Sequence, residues 1–222
     1  MSEKGETFET ALASAQQKGY AEKDPTDDIE GYDAKRKICI LAAIAFGKMY
    51  AEEDVECSGI TNIDLLDIDI LAGIGAKMKL IGHAEQVGEQ RILYVRPCVC
   101  LPDNPLSTVS GVFNSILVEG NTLGTVMFYG RGAGRMPTAS AVVSDIMDIL
   151  NHPEKIDRTT FVTGDANELV SDCDNLYTYY VRMDQQPDGY SYKALNGAFL
   201  IENISRSQIN EKFAPKAVYK VL

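Results

Sequence analysis

The segment from Gly19 to Lys37, GYAEKDPTDDIEGYDAKRK, concentrates acidic side chains around one Asp-Pro turn and ends in a lysine. Its six carboxylates belong to Glu22, Asp24, Asp27, Asp28, Glu30 and Asp33. Carboxylates this close together repel one another unless a cation lies among them. The candidates for that cation are Lys37 itself, a metal ion, or the ammonium group of a substrate.

Asp33 and Lys37 form the pair in this segment whose spacing suggests chemistry. They are four residues apart on a predicted helix, so their side chains share one face. Such pairs are most often solvent-exposed salt bridges, which stabilise a helix by about 0.3–0.5 kcal/mol. This pair begins one turn beyond the acidic loop, which can fold back over it, and that context favours a functional role.

A glycine-rich stretch, residues 130–134, precedes a predicted helix with Pro137 in its first turn. Small residues let the backbone approach a ligand, and a helix N-terminus attracts anions. A glycine-rich turn between a strand and a helix is more often only a turn. The pattern by itself therefore indicates a possible ligand contact and no more.

Hydrophobic periodicity predicts the elements that position these residues. Helices are predicted at 7–18, 32–50, 62–73 and 137–150, the third opened by Thr61 or Asn62. The buried face of the second helix is assigned to Ile38, Leu41, Ala42, Ala45 and Met49. Strands are predicted at 77–82, 91–99, 114–118, 125–129, 177–183, 196–204 and 217–222, with His83 on a hairpin loop. Helices first and strands second predict an α+β fold, a mixed β-sheet with helices packed on one face.

Composition narrows the classes of function. The chain has 222 residues, is 45% hydrophobic and carries a net charge of −11, so a nucleic-acid partner is not expected. The acidic excess favours small cationic or zwitterionic ligands. Five cysteines in irregular spacing predict reduced thiols and a cytoplasmic protein, with Cys98 and Cys100 on one strand face. With two histidines, a metal centre built on imidazole is not expected, and no apolar run is long enough to cross a membrane.

The acidic segment resembles homoserine dehydrogenase, a family that carries a GYAE-DPT-D-EG-DA-RK signature in its catalytic domain. The matching residues are Tyr20, Glu22, Asp24, Pro25, Thr26, Asp28, Gly31, Asp33 and Lys37. A second string, GAGRMPTASAV, resembles the family's cofactor-contacting loop. The resemblance runs from about Met1 to Thr163. It implies a catalytic and dimerisation domain over 1–165 and a C-terminal extension over 166–222 that faintly resembles a truncated ACT domain.

The resemblance also implies roles for individual residues. Lys37 would exchange the proton of the substrate hydroxyl, and Asp33 would hold that lysine. Glu22 and Asp28 would bind the substrate ammonium group, and Tyr20 would help to shape the pocket. Backbone contacts to the dinucleotide would come from Gly132, Ala133 and Gly134.

The implied reaction is the NAD(P)-dependent interconversion of L-homoserine and L-aspartate 4-semialdehyde, in the synthesis of threonine, methionine and isoleucine. NADP or NAD would be held mostly by a Rossmann domain that this chain lacks, so the isolated chain is expected to turn over poorly or not at all. A homodimer is expected, and threonine feedback is not.

Two readings from other classes remain open on the sequence. One is a non-catalytic amino-acid-binding or regulatory module whose acidic loop binds an ammonium group. The other is a divalent-metal hydrolase, which suits the number of acids but lacks histidines and a matching spacing. Retention of both Asp33 and Lys37 argues against a simple amino-acid binder, because binding an amino acid does not require that lysine.

Overall fold

The structure is a computed structural model that describes residues 6–17, 23–132, 134–153 and 161–222. Within these ranges the α-helices are α1 (Phe8–Gln17), α2 (Thr26–Ile29), α3 (Tyr32–Phe46), α4 (Leu65–Ala72), α5 (Arg135–Asn151) and α6 (Arg206–Lys212). Single 3-10 turns lie at Glu52–Asp54, Pro105–Thr108 and Ala166–Glu168. Across the described ranges, no helix combines the length and the apolar character that a membrane span requires.

The strands of the described residues form one large sheet and two small pairs. They are β1 (Lys48–Met49), β2 (Glu56–Cys57), β3 (Lys77–Val87), β4 (Gln90–Cys100), β5 (Phe113–Gly120), β6 (Gly124–Arg131), β7 (Val162–Thr163), β8 (Tyr177–Arg182), β9 (Tyr192–Ala194), β10 (Phe199–Ile204) and β11 (Ala217–Val221). The large sheet has seven strands, with β1–β7 and β5–β6 as separate pairs. The two predicted hairpins are present, and both extend further than the sequence pattern indicated.

Strand β4 is the centre of the large sheet. It pairs antiparallel with β3 along one edge, and parallel with both β2 and β11 along the other. Every residue from Arg91 to Cys100 is buried, as expected for a strand covered on both faces. The mixed sheet and the α+β class predicted from the sequence are confirmed.

The two faces of β4 are covered differently. Leu93 packs with Cys39 and Ala42 of α3, and Val99 packs with Leu71 of α4, so both helices lie on the face of the odd-numbered residues. Close packing of α3 depends on Gly82 in β3, where an added Cβ would lie 3.2 Å from the Ile38 Cβ. The opposite face carries Ile92, Tyr94 and Cys98, which are covered by chain segments near Val170 and Leu222.

The C-terminal strands join this same sheet. β11 lies between β4 and β8, and the order continues through β10 to β9, with antiparallel pairing from β11 onward. Helix α6 was not predicted, and its Ile209 packs on Tyr179 and Val181, on the face opposite α4. It begins with a complete capping box, in which Ser205 and Gln208 satisfy each other's backbone N–H groups. That Ser-x-x-Gln spacing is the sequence signal that could have identified it.

Several predicted boundaries are wrong. α3 ends at Phe46 rather than Tyr50, because Gly47 adopts a left-handed conformation (φ 73°) that closes the helix. Met49 therefore lies in β1, and Ala45 is exposed while Cys39 and Ala43 are buried. α4 begins at Leu65, capped by Asp64 rather than by Thr61 or Asn62. Cys98 and Cys100 are both buried free thiols, as predicted.

His83 lies within β3 rather than on a hairpin loop, since the strand continues to Val87. Its ring stacks on Tyr94 with centroids 4.8 Å apart, and its Nε2 lies 3.2 Å from a carboxylate oxygen of Glu85. Burial lowers the pKa of His83, which the contact with Glu85 opposes. The folded chain therefore favours the neutral imidazole more than the unfolded chain does.

We expect the free energy of unfolding to fall as the pH drops below about 6.5, the usual histidine value, because the unfolded chain then binds a proton that folded His83 resists. His83→Gln should reduce that loss, as measured by urea unfolding at several pH values between 7.5 and 5.5. His152→Gln, at the end of the exposed helix α5, is the matched control. An unchanged pH dependence in His83→Gln would contradict this assignment.

Candidate active site

The described part of the acidic segment forms two helices, α2 and α3, that are joined by one glycine. α2 carries Asp27 and Asp28, α3 begins at Tyr32, and Gly31 joins them in a left-handed conformation (φ 82°). Asp24 precedes α2 and accepts hydrogen bonds from the Thr26 hydroxyl at 2.6 Å and the Thr26 N–H at 3.2 Å. These bonds lower the pKa of Asp24. Asp24 therefore has a structural role in starting α2.

Neighbouring side chains pair with or hydrogen-bond to the other described acids of the segment, with one exception. Arg36 pairs with Asp27 at 2.6 Å, which raises the pKa of that guanidinium. Thr61 donates a hydrogen bond to Glu30 at 2.6 Å. Asp28 has no hydrogen bond or ion pair among the residues that the structure describes. It is the carboxylate left available for an external cation.

Lys37 and Asp33 form the predicted pair. Lys37 Nζ donates to Asp33 Oδ2 at 2.6 Å, and the two side chains are 65% and 44% exposed. A pair this exposed contributes little to stability, about 0–1 kcal/mol. Its geometry, a lysine amine fixed by a carboxylate on an open surface, suits proton exchange with a bound molecule.

A loop after β2 holds the junction between α2 and α3. Ile60 N–H donates to Ile29 C=O at 2.8 Å, and the Cys57 thiol donates to Glu30 C=O at 3.3 Å. Gly59 lies so close that an added Cβ would be 2.2 Å from the Ile29 carbonyl oxygen. The position of the helix that carries Asp33 and Lys37 therefore depends on a loop that the sequence pattern did not connect to it.

The glycine-rich loop leads into α5, as predicted, although the helix begins at Arg135, two residues before Pro137. Gly134 precedes it with φ 122°, a conformation that favours glycine, and no side chain caps the helix. At Gly132 an added Cβ would lie 2.2 Å from the Asn114 amide nitrogen. The loop thus offers uncapped backbone N–H groups at a helix N-terminus, an arrangement that fits a phosphate.

The structure joins some of the predicted site residues and not others. Asp33 and Lys37 are in contact, and Asp28 lies on the adjoining helix. Among the described residues, no hydrogen bond or ion pair links these three to Gly132 or Gly134. Tyr20, Glu22 and Ala133 lie outside the described residues, so their assigned roles stay predictions.

Arg36 was not predicted as part of the site, although it neutralises one of its acids and also approaches Glu52 at 3.5 Å. Its partner Asp27 is nine residues earlier, across the Gly31 turn, which no helical spacing rule indicates. The signal available in the sequence was the run of basic residues Lys35-Arg36-Lys37 directly after the acids.

Comparison with known proteins gives one family. Residues 1–147 match the family described as homoserine dehydrogenase. The homoserine dehydrogenase of Synechocystis sp. is 47% identical over 154 residues, which are 68% of this chain and 36% of that protein. The Lactococcus lactis enzyme of the same name is 33% identical over 211 residues, 94% of this chain and 49% of that protein.

Solved structures agree with this match. A homoserine dehydrogenase from Thiobacillus denitrificans superposes with a TM-score of 0.79 at 28% identity, covering 100% of this chain and 60% of that one. A hyperthermophilic archaeal homoserine dehydrogenase mutant in complex with NADPH has a TM-score of 0.52 at 31% identity, covering 66% of this chain and 41% of the other.

The chain spans between about a third and a half of the length of these two curated relatives. The family match over residues 1–147 includes the acidic segment, the Asp33–Lys37 pair, the glycine-rich loop and most of α5. The fold of the whole chain is also shared with solved members. On these grounds the chain belongs to the homoserine dehydrogenase family.

Proposed function

We propose that this chain is the catalytic part of a homoserine dehydrogenase, which interconverts L-homoserine and L-aspartate 4-semialdehyde with NAD(P). The observation that carries the proposal is the exposed Lys37–Asp33 pair on α3, with Asp28 on the adjoining helix α2 and without a partner among the described residues. The product semialdehyde and homoserine both carry an ammonium group, which a free carboxylate can bind. The reaction belongs to the synthesis of threonine, methionine and isoleucine.

The proposed chemistry assigns one step to each group. In the oxidative direction the Lys37 amine takes the proton of the substrate hydroxyl, and the carbon that carries this hydroxyl becomes the aldehyde carbon once its hydride is removed. Asp33 keeps the amine positioned through the 2.6 Å bond. Asp28 is proposed to hold the substrate ammonium group together with Glu22, and Tyr20 is proposed to help shape the pocket. The cofactor, when bound, supplies the hydride acceptor.

Cofactor contacts from this chain are assigned to the loop Gly132, Ala133 and Gly134. The uncapped N-terminus of α5 supports a phosphate contact there. The rest of the dinucleotide is proposed to be bound by a nucleotide-binding domain of the Rossmann kind. NADP and NAD are both compatible with these contacts.

We also propose that the chain assembles as a homodimer through α5 and the β5–β6 hairpin. None of the 17 residues of α5 is buried, although the helix is rich in apolar side chains. The large exposed ones are Val142, Val143, Ile146, Met147, Ile149 and Leu150. The hairpin adds Ile116, Val118 and Phe128, which are also exposed. Apolar side chains exposed in such number are typical of a protein interface.

The C-terminal extension, proposed for 166–222, has the strand arrangement of a reduced ACT-like unit. Its four strands lie in the order β11-β8-β10-β9, that is fourth, first, third, second, with all pairs antiparallel. α6 connects the third strand to the fourth, as in a ferredoxin-like βαββαβ unit. The connection from β8 to β9 contains no helix, so one of the two crossover helices is missing.

The role of Asp28 gives a direct test. Asp28→Asn, in the chain fused to a nucleotide-binding domain of the family, should raise the KM for homoserine about tenfold or more, since a charge-assisted hydrogen bond is weakened. The kcat should change much less. Asp54→Asn, an exposed acid outside the segment, is the control for net charge. Equal KM values in Asp28→Asn and the parent would contradict ammonium binding at this carboxylate.

A further inference from the structure

A cavity of about 400 Å³ opens where the edge of β4 is left without a partner strand. β2 pairs with β4 as far as Val95, and β11 begins pairing at Cys98, so Arg96 and Pro97 face a gap between the two. Polar side chains that line the cavity include Ser58, Thr61, Arg96, Tyr179, Arg206 and Lys220. The cavity is separate from the exposed Lys37–Asp33 pair, and neither of those residues lines it.

One wall of the cavity carries buried positive charge. Arg96 and Lys220 are 5% and 6% exposed, and both contact the same buried carboxylate oxygen of Asp172, at 2.5 and 3.1 Å. Burial disfavours the charge on Arg96, but the bond to Asp172 and the electrostatic interactions with Tyr94, Asp172 and Cys98 together raise the pKa of that guanidinium. One carboxylate thus serves two buried cations, which leaves positive charge uncompensated at this contact.

Two further carboxylates lie near the cavity, and neither removes this excess at the buried wall. Glu56 is 40% exposed and lies 3.9 Å from Arg96 Nη1, while it also pairs with Arg206 at 3.4 Å. Glu30 lines the cavity and accepts the hydrogen bond of Thr61. Glu30 makes no ion pair with Arg96, Arg206 or Lys220 in the structure.

Donors at this wall lack acceptors. Arg96 Nε, Arg96 Nη1 and the Tyr179 hydroxyl are buried without a hydrogen-bond partner among the described residues. Burial raises the pKa of Tyr179, so its hydroxyl stays protonated and able to donate. Leaving such groups unsatisfied is costly, especially for a charged one. An acceptor with negative charge is the kind of group that complements these donors.

We propose that this cavity binds a small oxyanion, a carboxylate or a phosphate, through the guanidinium of Arg96 and the hydroxyl of Tyr179. Guanidinium groups match the geometry of both oxyanions. Lys220 adds positive charge at the same buried wall, and the partly exposed Arg206 adds a further positive charge to the lining. The opposite wall includes Tyr32 and Gly59, which belong to the helix and the loop that position Asp33 and Lys37. Binding of the anion does not depend on the proposed function, whereas an effect on turnover would rest on it.

The test is calorimetric titration of the 222-residue chain with inorganic phosphate and, separately, with succinate, in a buffer free of both. Saturable binding of at least one anion is expected. Tighter binding of phosphate would indicate a phosphate ligand, and tighter binding of succinate would indicate a carboxylate ligand. Tyr179→Phe should weaken that binding about tenfold, because one hydrogen bond to a charged acceptor is lost. Tyr94→Phe is the matched control, since its hydroxyl is also buried and unpartnered but does not line the cavity.

Arg96→Met should abolish binding, while Asp172 keeps its pair with Lys220. If Arg96→Met does not fold, Tyr179→Phe still decides the question, because it removes no hydrogen bond of the folded chain. The proposal would be overturned if neither anion saturates the native chain. It would equally be overturned if Tyr179→Phe binds as tightly as the native chain and the Tyr94→Phe control.

Discussion

Replacing Lys37 by alanine, in the chain fused to a nucleotide-binding domain of the family, is expected to lower kcat for homoserine oxidation by about 10²–10⁴-fold. The reason is that the amine fixed by Asp33 at 2.6 Å is the group proposed to take the hydroxyl proton. The measurement is the rate of NAD(P)H formation at saturating homoserine. Because the side chain is 65% exposed, the free energy of unfolding should change by less than about 1 kcal/mol.

Lys35→Ala is the matched control for this experiment. Lys35 lies on the same helix and carries the same charge, but its amine sits over the Tyr32 ring, 5.6 Å from the centroid, rather than on Asp33. It should retain most of the parent's kcat. Comparable rates in Lys37→Ala and Lys35→Ala would refute the role of Lys37. Urea titration of both variants shows whether a loss of kcat is caused by unfolding instead.

The second large effect is expected at Asp67, a fully buried acid of α4 for which the sequence indicated no function. Its carboxylate accepts hydrogen bonds from the Tyr180 hydroxyl at 2.7 Å and from Arg182 Nε at 2.6 Å. Asp67→Ala leaves a buried hydroxyl without a partner and a largely buried guanidinium with one exposed carboxylate, Asp64. We expect the free energy of unfolding to fall by about 3–5 kcal/mol.

Asp69→Ala is the control for Asp67→Ala, because Asp69 lies on the same helix with its side chain exposed. Its effect on the urea midpoint should correspond to no more than about 0.5 kcal/mol. A similarly small effect for Asp67→Ala would mean that the contacts of α4 with β8 do not depend on this ion pair. The Asp67–Arg182 pair would then not be what fastens β8 to α4.

The sequence was informative where the governing interaction is local. The four-residue spacing of Asp33 and Lys37 correctly predicted their contact, and alternation along the strands correctly placed both cysteines of β4 in the core. Turn residues identified the β5–β6 hairpin for the same reason, since a hairpin register is decided within a few residues.

Interactions between distant segments were not predictable in this way. Asp67 and Arg182 are 115 residues apart, so nothing in the pattern around either one indicated a buried ion pair. The same holds for Arg96 and Asp172, which are 76 residues apart. Their pairing depends on the position of β11 between β4 and β8, and such non-local strand order is set by the folded sheet as a whole.

Other errors came from reading a local pattern too far. Apolar periodicity continued past Gly47, so the second helix was extended to Tyr50, although a left-handed glycine ends it. The polar residues around His83 suggested a loop, whereas they occupy a strand that is long enough to extend beyond the core. In the first case the left-handed conformation of Gly47 ended the helix, and in the second the pairing of β3 with β4 extended the strand through polar residues.

Homoserine-dependent formation of NAD(P)H shows directly whether this chain is the catalytic part of a homoserine dehydrogenase. It is measured for the purified chain alone and for the chain fused to a nucleotide-binding domain of the family. The fused protein is predicted to oxidise homoserine, and the chain alone to show little or no turnover. A folded fusion that binds cofactor yet does not oxidise homoserine would contradict the catalytic assignment and favour an amino-acid-binding module. Robust turnover by the chain alone would contradict the proposal that NAD(P) is bound mostly by a separate nucleotide-binding domain.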